Sequence, residues 1–217
     1  MCRRLVSGIF STAGFGNQVV SEARPSGRAS SVIMPSLTVG LLTSCAMDRR
    51  IVILGFMGCG KTTVAKEFAH KIGAEFIDLD SFVTENEGRS PAEIIQADGE
   101  TAFRQIESAA LNRVLTGSDA RVIALGGGTW TIPANRTMIA LHDCITVWLD
   151  APFDLCWQRI NGSGDSVRPL APDLETARNR YETRRADYNL AESHIRINDR
   201  DSYQSIADEI RNLCSAS

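Results

Sequence analysis

Ile51-Val52-Ile53-Leu54-Gly55-Phe56-Met57-Gly58-Cys59-Gly60-Lys61-Thr62 is the stretch on which the fold turns. Its first four residues are apolar and three of them β-branched, and such a run without alternation reads as a strand buried on both faces. Residues 55–62 then fit the spacing G-x-x-x-x-G-K-[ST], and Ala65, Phe68, Ala69 and Ile72 follow at i, i+3, i+4 and i+7, the stripe of an amphipathic helix. A strand, a glycine-rich turn and a helix in that order make a phosphate-binding loop. The glycines let successive backbone N–H groups turn inward onto a polyphosphate, and the positive end of the helix adds to the attraction. This reading assigns Gly58, Cys59, Gly60, Lys61, Thr62 and Thr63 to a nucleotide cradle. In it Lys61 neutralises the β and γ phosphates, the Thr62 hydroxyl ligates Mg²⁺, and the Cys59 thiol is a bystander in a variable slot.

Outward from this stretch the pattern keeps switching between short apolar runs and helical spacing, the signature of a parallel sheet. Strands are expected at 51–54, 75–78, 121–125, 144–149 and 194–197, and a last helix carries Tyr203, Ile206, Ala207, Ile210 and Leu213 on one face. Residues 81–117 are too long for a simple crossover and hold helical signals at 91–97 and 100–115, so a small helical insertion is expected there. The fold class that follows is α/β: a three-layer P-loop kinase architecture with a five-stranded parallel sheet, a helical insertion and a lid.

The 217 residues, 43% hydrophobic and 23% charged, suit one domain plus an appendage. The net charge of −3 is uneven: residues 1–46 hold four arginines against Glu22, a balance of +3 that leaves −6 on the rest. A negative domain argues against a nucleic-acid partner. The six cysteines form no C-x-x-C pair, so neither a disulfide framework nor a zinc site is expected, and Cys144 and Cys156 read as small buried hydrophobes. His70, His142 and His194 lie away from the motifs and are assigned no catalysis, and Trp130, Trp148 and Trp157 read as packing residues.

Residues 1–46 lack periodicity, are rich in Ser, Gly and Arg, and read as a disordered extension ahead of a domain at 47–217. Their composition also suits an organellar transit peptide. Met47, immediately before the first strand, suits an upstream start codon; this simpler reading is preferred, and with it a cytoplasmic location. The uncharged run 32–47 is broken by Pro35, Ser36 and Thr38 and falls short of the roughly 18 apolar residues of a membrane span.

The third strand runs into Gly126-Gly127-Gly128, where many phosphate-binding-loop proteins keep a metal-binding aspartate, so the acid must come from elsewhere. Asp78 and Asp80 end the second strand. They point to one side if the strand persists and diverge if it bends, and together they can serve metal and substrate separately. An N-cap role for Asp80 is the plainer alternative.

Phe76-x-Asp78-x-Asp80, Gly99-Glu100-x-x-Phe103-Arg104-x-x-Glu107, Leu125-Gly126-Gly127-Gly128 and Val167-Arg168-Pro169-Leu170 follow the phosphate-binding loop in this order. Together they closely resemble the shikimate kinase family over about residues 49–212. The resemblance implies phosphoryl transfer from ATP to the 3-hydroxyl of shikimate, a small carboxylate, in the route to aromatic amino acids, by a monomer with no membrane partner. It implies that Arg104 and Arg184 capture the substrate carboxylate, with Glu107 orienting Arg104. Arg185 is an alternative to Arg184, because Ala186-Asp187 stands where the family has Pro-Leu. Asp80 would hold the attacking hydroxyl and accept its proton, Asp78 would hold Mg²⁺ through water, and Gly127 and Gly128 would bring backbone N–H groups to the substrate. Residues 161–173 resemble a lid that swings Arg168 onto the phosphates, while Arg159 and Arg200 match positions flanking adenine. Two other readings are kept: a different small-molecule kinase of this architecture, such as a gluconate or adenylate kinase, and a non-catalytic nucleotide-binding module.

Overall fold

A computed structural model describes residues 49–162, Leu170 and 172–216. The extension at 1–46 and, within the lid, Arg168 lie outside the described residues.

The chain runs β1 (Ile51–Leu54), α1 (Lys61–Ile72), β2 (Phe76–Asp78), α2 (Leu79–Glu87), α3 (Pro91–Gly117), β3 (Val122–Ala124), a 3-10 turn (Thr129–Thr131), α4 (Pro133–Leu141), β4 (Ile145–Asp150), α5 (Phe153–Gly162), α6 (Leu174–Tyr188), β5 (Ser193–Arg196) and α7 (Tyr203–Ala216). The strands form one parallel sheet in the order β2-β3-β1-β4-β5, with Ile51 level with Val122 on one side and Ile145 on the other. β1 is therefore central, and its unbroken apolar run is buried along its whole length. All five expected strands are found to within one residue at most ends.

Right-handed crossovers set the layers. The step outward from β1 to β2 carries α1 over one face, where it packs on α7. The return to β3 and onward to β4 and β5 runs the opposite way, and α3, α4 and α6 meet at the 3-10 turn. The chain thus leaves the neighbouring strands β1 and β3 toward opposite faces, which opens a crevice beyond their carboxyl ends. The phosphate-binding loop follows β1, the three glycines follow β3, and Asp78 ends β2, so each motif arrives at this crevice.

The second strand ends at Asp78 as expected and the chain bends there into α2 at Leu79; Asp78 is the N-cap, its Oδ1 accepting from Ser81 N at 3.0 Å, and Asp80 sits in the first turn of the helix. The two aspartates therefore diverge, and Asp80 is not the cap. The insertion holds two helical runs as expected, but they abut within α3 at Gly99, whose φ of 88° and ψ of 163° belong to neither. Asn161 and Gly162 extend α5 instead of opening the lid, and at its far end Asp173 caps α6 through Thr176 N at 2.8 Å.

Candidate active site

The crevice is a cleft of about 760 Å³. Gly58, Gly60, Lys61, Thr62 and Thr63 line one end, and Asp80, Phe103, Arg104, Glu107, Gly127, Gly128 and Arg184 line the other, with Asp78 between. Sequence reasoning missed Met57, Tyr203 and the apolar Pro91, Ala92 and Ile95 at the start of α3, which also face the cleft.

The nucleotide end is built from backbone. Gly58 and Gly60 have φ of 78° and 100°, which L-residues rarely adopt, and a Cβ on Gly58 would stand 2.5 Å from Cys156 O. No side chain caps α1 and its first turn holds no acid, whereas α2, α3 and α6 are capped by Asp78, Ser90 and Asp173. The helix that begins at the nucleotide end thus keeps positive potential for an anion, which the capped α2, α3 and α6 spend on their own side chains. Lys61 Nζ arches over the loop, donating to Gly55 O and Phe56 O at 3.0 Å each. Cys59 does not line the cleft: its thiol is buried and its N–H donates to Phe56 O at 3.2 Å. Arg159 reaches the same end, donating to Cys59 O at 3.3 Å and lying 5.8 Å from the centre of the Tyr203 ring. Arg200 does not. It lines a separate groove with Pro152, Asp154 and Leu155.

Thr62 Oγ1 donates to Asp78 Oδ2 at 2.6 Å, so the hydroxyl and carboxylate assigned to the metal are neighbours. An all-oxygen pair of this kind, beside a phosphate cradle, fits Mg²⁺, a hard cation that keeps several waters and few protein ligands.

At the other end, the three glycines after β3 lie against the charged side chains of the cleft. A Cβ on Gly126 would lie 2.7 Å from Asp80 Oδ1 and 2.3 Å from Glu107 Oε1; one on Gly127, 3.6 Å from Arg184 Nη1; one on Gly128, 2.4 Å from Arg104 Nη2. Gly126, absent from the sequence-based set, is as tightly placed as Gly128, whereas a Cβ on Gly127 would make only ordinary contacts. Arg184 Nη1 donates to Gly127 O at 3.0 Å, and the Tyr188 hydroxyl donates to the same carbonyl; the i, i+4 spacing puts both on one face of α6. Arg185 points elsewhere, forking onto the Asp150 carboxylate at 2.6 and 3.2 Å. Of the two candidates, Arg184 reaches the cleft.

Arg104 Nη1 donates to Glu107 Oε2 at 2.7 Å, and the Thr129 hydroxyl donates to the other oxygen at 2.6 Å. Glu107 is fully buried, so this is no surface ion pair. Burial pushes the Asp80 carboxyl from its ordinary 3.8 up to about 6, with Glu107 and Asp78 adding to the shift and Lys61 and Arg104 opposing it. Such a group is ionised at neutral pH yet basic enough to take a proton. None of the three histidines lines the cleft. The Cys144 and Cys156 thiols are pushed by burial up to about 11 and about 12, as unreactive core groups should be.

The chain is similar to known proteins over most of its length. The family model described as shikimate kinase matches residues 57–215. A shikimate kinase of Symbiobacterium thermophilum is 38% identical over 164 residues, covering 74% of this chain and 92% of its own length. One from Ruegeria pomeroyi is 33% identical over 170 residues, covering 77% and 85%. The solved structure of shikimate kinase from Acinetobacter baumannii in complex with shikimate superposes with a TM-score of 0.71 at 30% identity, covering 77% of this chain and 93% of that one.

Proposed function

Because the chain belongs to the shikimate kinase family, we infer that it transfers the γ-phosphoryl group of ATP to shikimate, a step in aromatic amino acid biosynthesis. The observation that carries the residue roles is the succession at Gly126, Gly127 and Gly128, against which Asp80, Arg184 and Arg104 stand in turn. Two guanidinium groups from different helices suit a carboxylate, which they meet as planar forks. With the substrate carboxylate held there, its 3-hydroxyl meets Asp80.

The uncapped N–H groups of α1 and Lys61 hold the triphosphate, and Arg159 flanks the base. Thr62 and Asp78 would hold Mg²⁺, which neutralises β and γ phosphate charge. The hydroxyl oxygen forms the new P–O bond as ADP leaves with the electron pair of the old one, and the hydroxyl proton passes to a carboxylate oxygen of Asp80. Because the transition state of phosphoryl transfer is loose, alignment of the two substrates contributes more than base strength. Arg168 is assigned to the phosphates on its sequence alone, as the cation of the lid motif, and Arg200, which lines a separate groove, is given no nucleotide role.

The reading includes a monomer and a reducing cytoplasmic location, the latter supported by the free, buried Cys59, Cys144, Cys156 and Cys214. Among the described residues no helix is long and apolar enough to cross a membrane. Phosphorus–proton correlation on the product tests the regiochemistry: coupling of the new phosphate to the ring proton at carbon 3 is expected, and coupling at another carbon would overturn the placement of Asp80.

A further inference from the structure

Arg104 is held by two acids of its own helix. While Nη1 meets Glu107, Nη2 donates to Glu100 Oε1 at 3.1 Å. Two carboxylates on one guanidinium would cancel the charge that a substrate carboxylate has to meet. Glu107 is occupied on its far oxygen by the Thr129 hydroxyl. Glu100 is occupied by Arg180 of α6, whose Nη1 and Nη2 donate to Oε1 at 3.3 Å and Oε2 at 3.1 Å, a forked pair bridging 80 positions of sequence. Burial alone would raise the Glu100 pKa, but hydrogen bonds from Arg180 and then Arg104 outweigh it and hold the carboxyl below its ordinary value, so Glu100 is an anion at neutral pH. Neither Glu100 nor Arg180 lines the cleft. Arg180 precedes Arg184 by one helical turn, so α6 sends one arginine to the cleft and the other to the acid behind Arg104.

We propose that Arg180 is a positioning residue for recognition of the substrate carboxylate, neutralising Glu100 so that the charge of Arg104 stays available and tying α6, with Arg184, to α3. This rests on the reading that Arg104 and Arg184 receive that carboxylate. In the intact network Arg104 and Arg180 balance Glu100 and Glu107. Without Arg180, Glu100 turns its full charge on Arg104 in competition with the incoming substrate.

The test is steady-state kinetics with both substrates varied, alongside thermal melting. Arg180→Gln is expected to raise KM for shikimate about three- to tenfold, in keeping with partly exposed charge pairs, while KM for ATP and kcat stay within about twofold. Arg180→Lys should restore most of the loss. Arg180→Gln combined with Glu100→Gln should return KM toward the parent value, because the competing anion has been removed. A double variant as impaired as Arg180→Gln alone, or an Arg180→Gln variant with unchanged KM for shikimate, would overturn the proposal. Should Arg180→Gln not fold, Glu100→Gln alone decides: a KM for shikimate equal to or below the parent value supports the charge account, and a raised one overturns it. Failure of the parent chain to turn over shikimate at all would overturn the underlying reading as well, an outcome distinct from a normal parent with an unmoved variant.

Discussion

Asp80 carries two opposed effects in one side chain. Its carboxyl lies in the first turn of α2, beside Gly126, with Glu107 and Asp78 as like charges, and its pKa stands at about 6 against the ordinary 3.8. The folded chain therefore binds this proton more tightly than the unfolded chain does. The stability that goes with the protonated form is complete below about pH 4 and is lost as pH rises through about 6. Asp80→Asn removes the loss, so its melting temperature should exceed the parent's by about 3–10 °C at pH 8 and match it near pH 4. Turnover should fall about 10²-fold or more, with nucleotide affinity nearly intact, because the acid faces the hydroxyl and not ATP. In the parent chain kcat/KM for shikimate should decline below about pH 6. An Asn variant that is less stable at pH 8 and still active would contradict both halves of this account.

Gly99 divides α3, and its φ of 88° with ψ of 163° is a conformation essentially confined to glycine. A Cβ there would touch nothing within 4 Å, so any cost of Gly99→Ala comes from the backbone and not from crowding. At about 1–3 kcal/mol, the substitution should lower the melting temperature by about 3–10 °C. It should also raise KM for shikimate, since Glu100 and Arg104 lie just beyond the break; calorimetry and kinetics on the same sample check both. How far such elements could be read in the sequence depended on the range of the forces that form them. β1 with its loop and α1 were legible because a buried apolar run, a glycine spacing and a helical stripe are all local. The cap of α2 was not, because whether a strand continues past Asp78 is decided by its partner β3, which ends at Ala124. The short helix α4 begins without a side-chain cap and was not placed in advance. The Arg180–Glu100 pair joins helices far apart in sequence: Glu100 stands in the motif around Arg104, but Arg180 belongs to no local pattern that singles it out. Arg184 became distinguishable from Arg185 only through the direction each takes from α6.

On the scale of the molecule, the partners of β1 are β3 and β4, and among the described residues every strand lies between Ile51 and Arg196. A chain begun at Met47 should accordingly keep its melting temperature within about 2 °C and its full turnover. A marked drop in either would show that residues 1–46 contribute to the domain.

From the uncapped α1 to the three glycines and their charged neighbours, the central prediction is that a nucleotide and a small carboxylate meet in one cleft for phosphoryl transfer. Coupled measurement of ADP release by the full chain with ATP and Mg²⁺, with and without shikimate and with gluconate as the comparison acceptor, tests it most directly. ADP release is expected to depend on shikimate, rising at least about 10²-fold over the rate without acceptor, with gluconate giving no increase. Release at the same rate with and without shikimate, or a preference for gluconate, would contradict it.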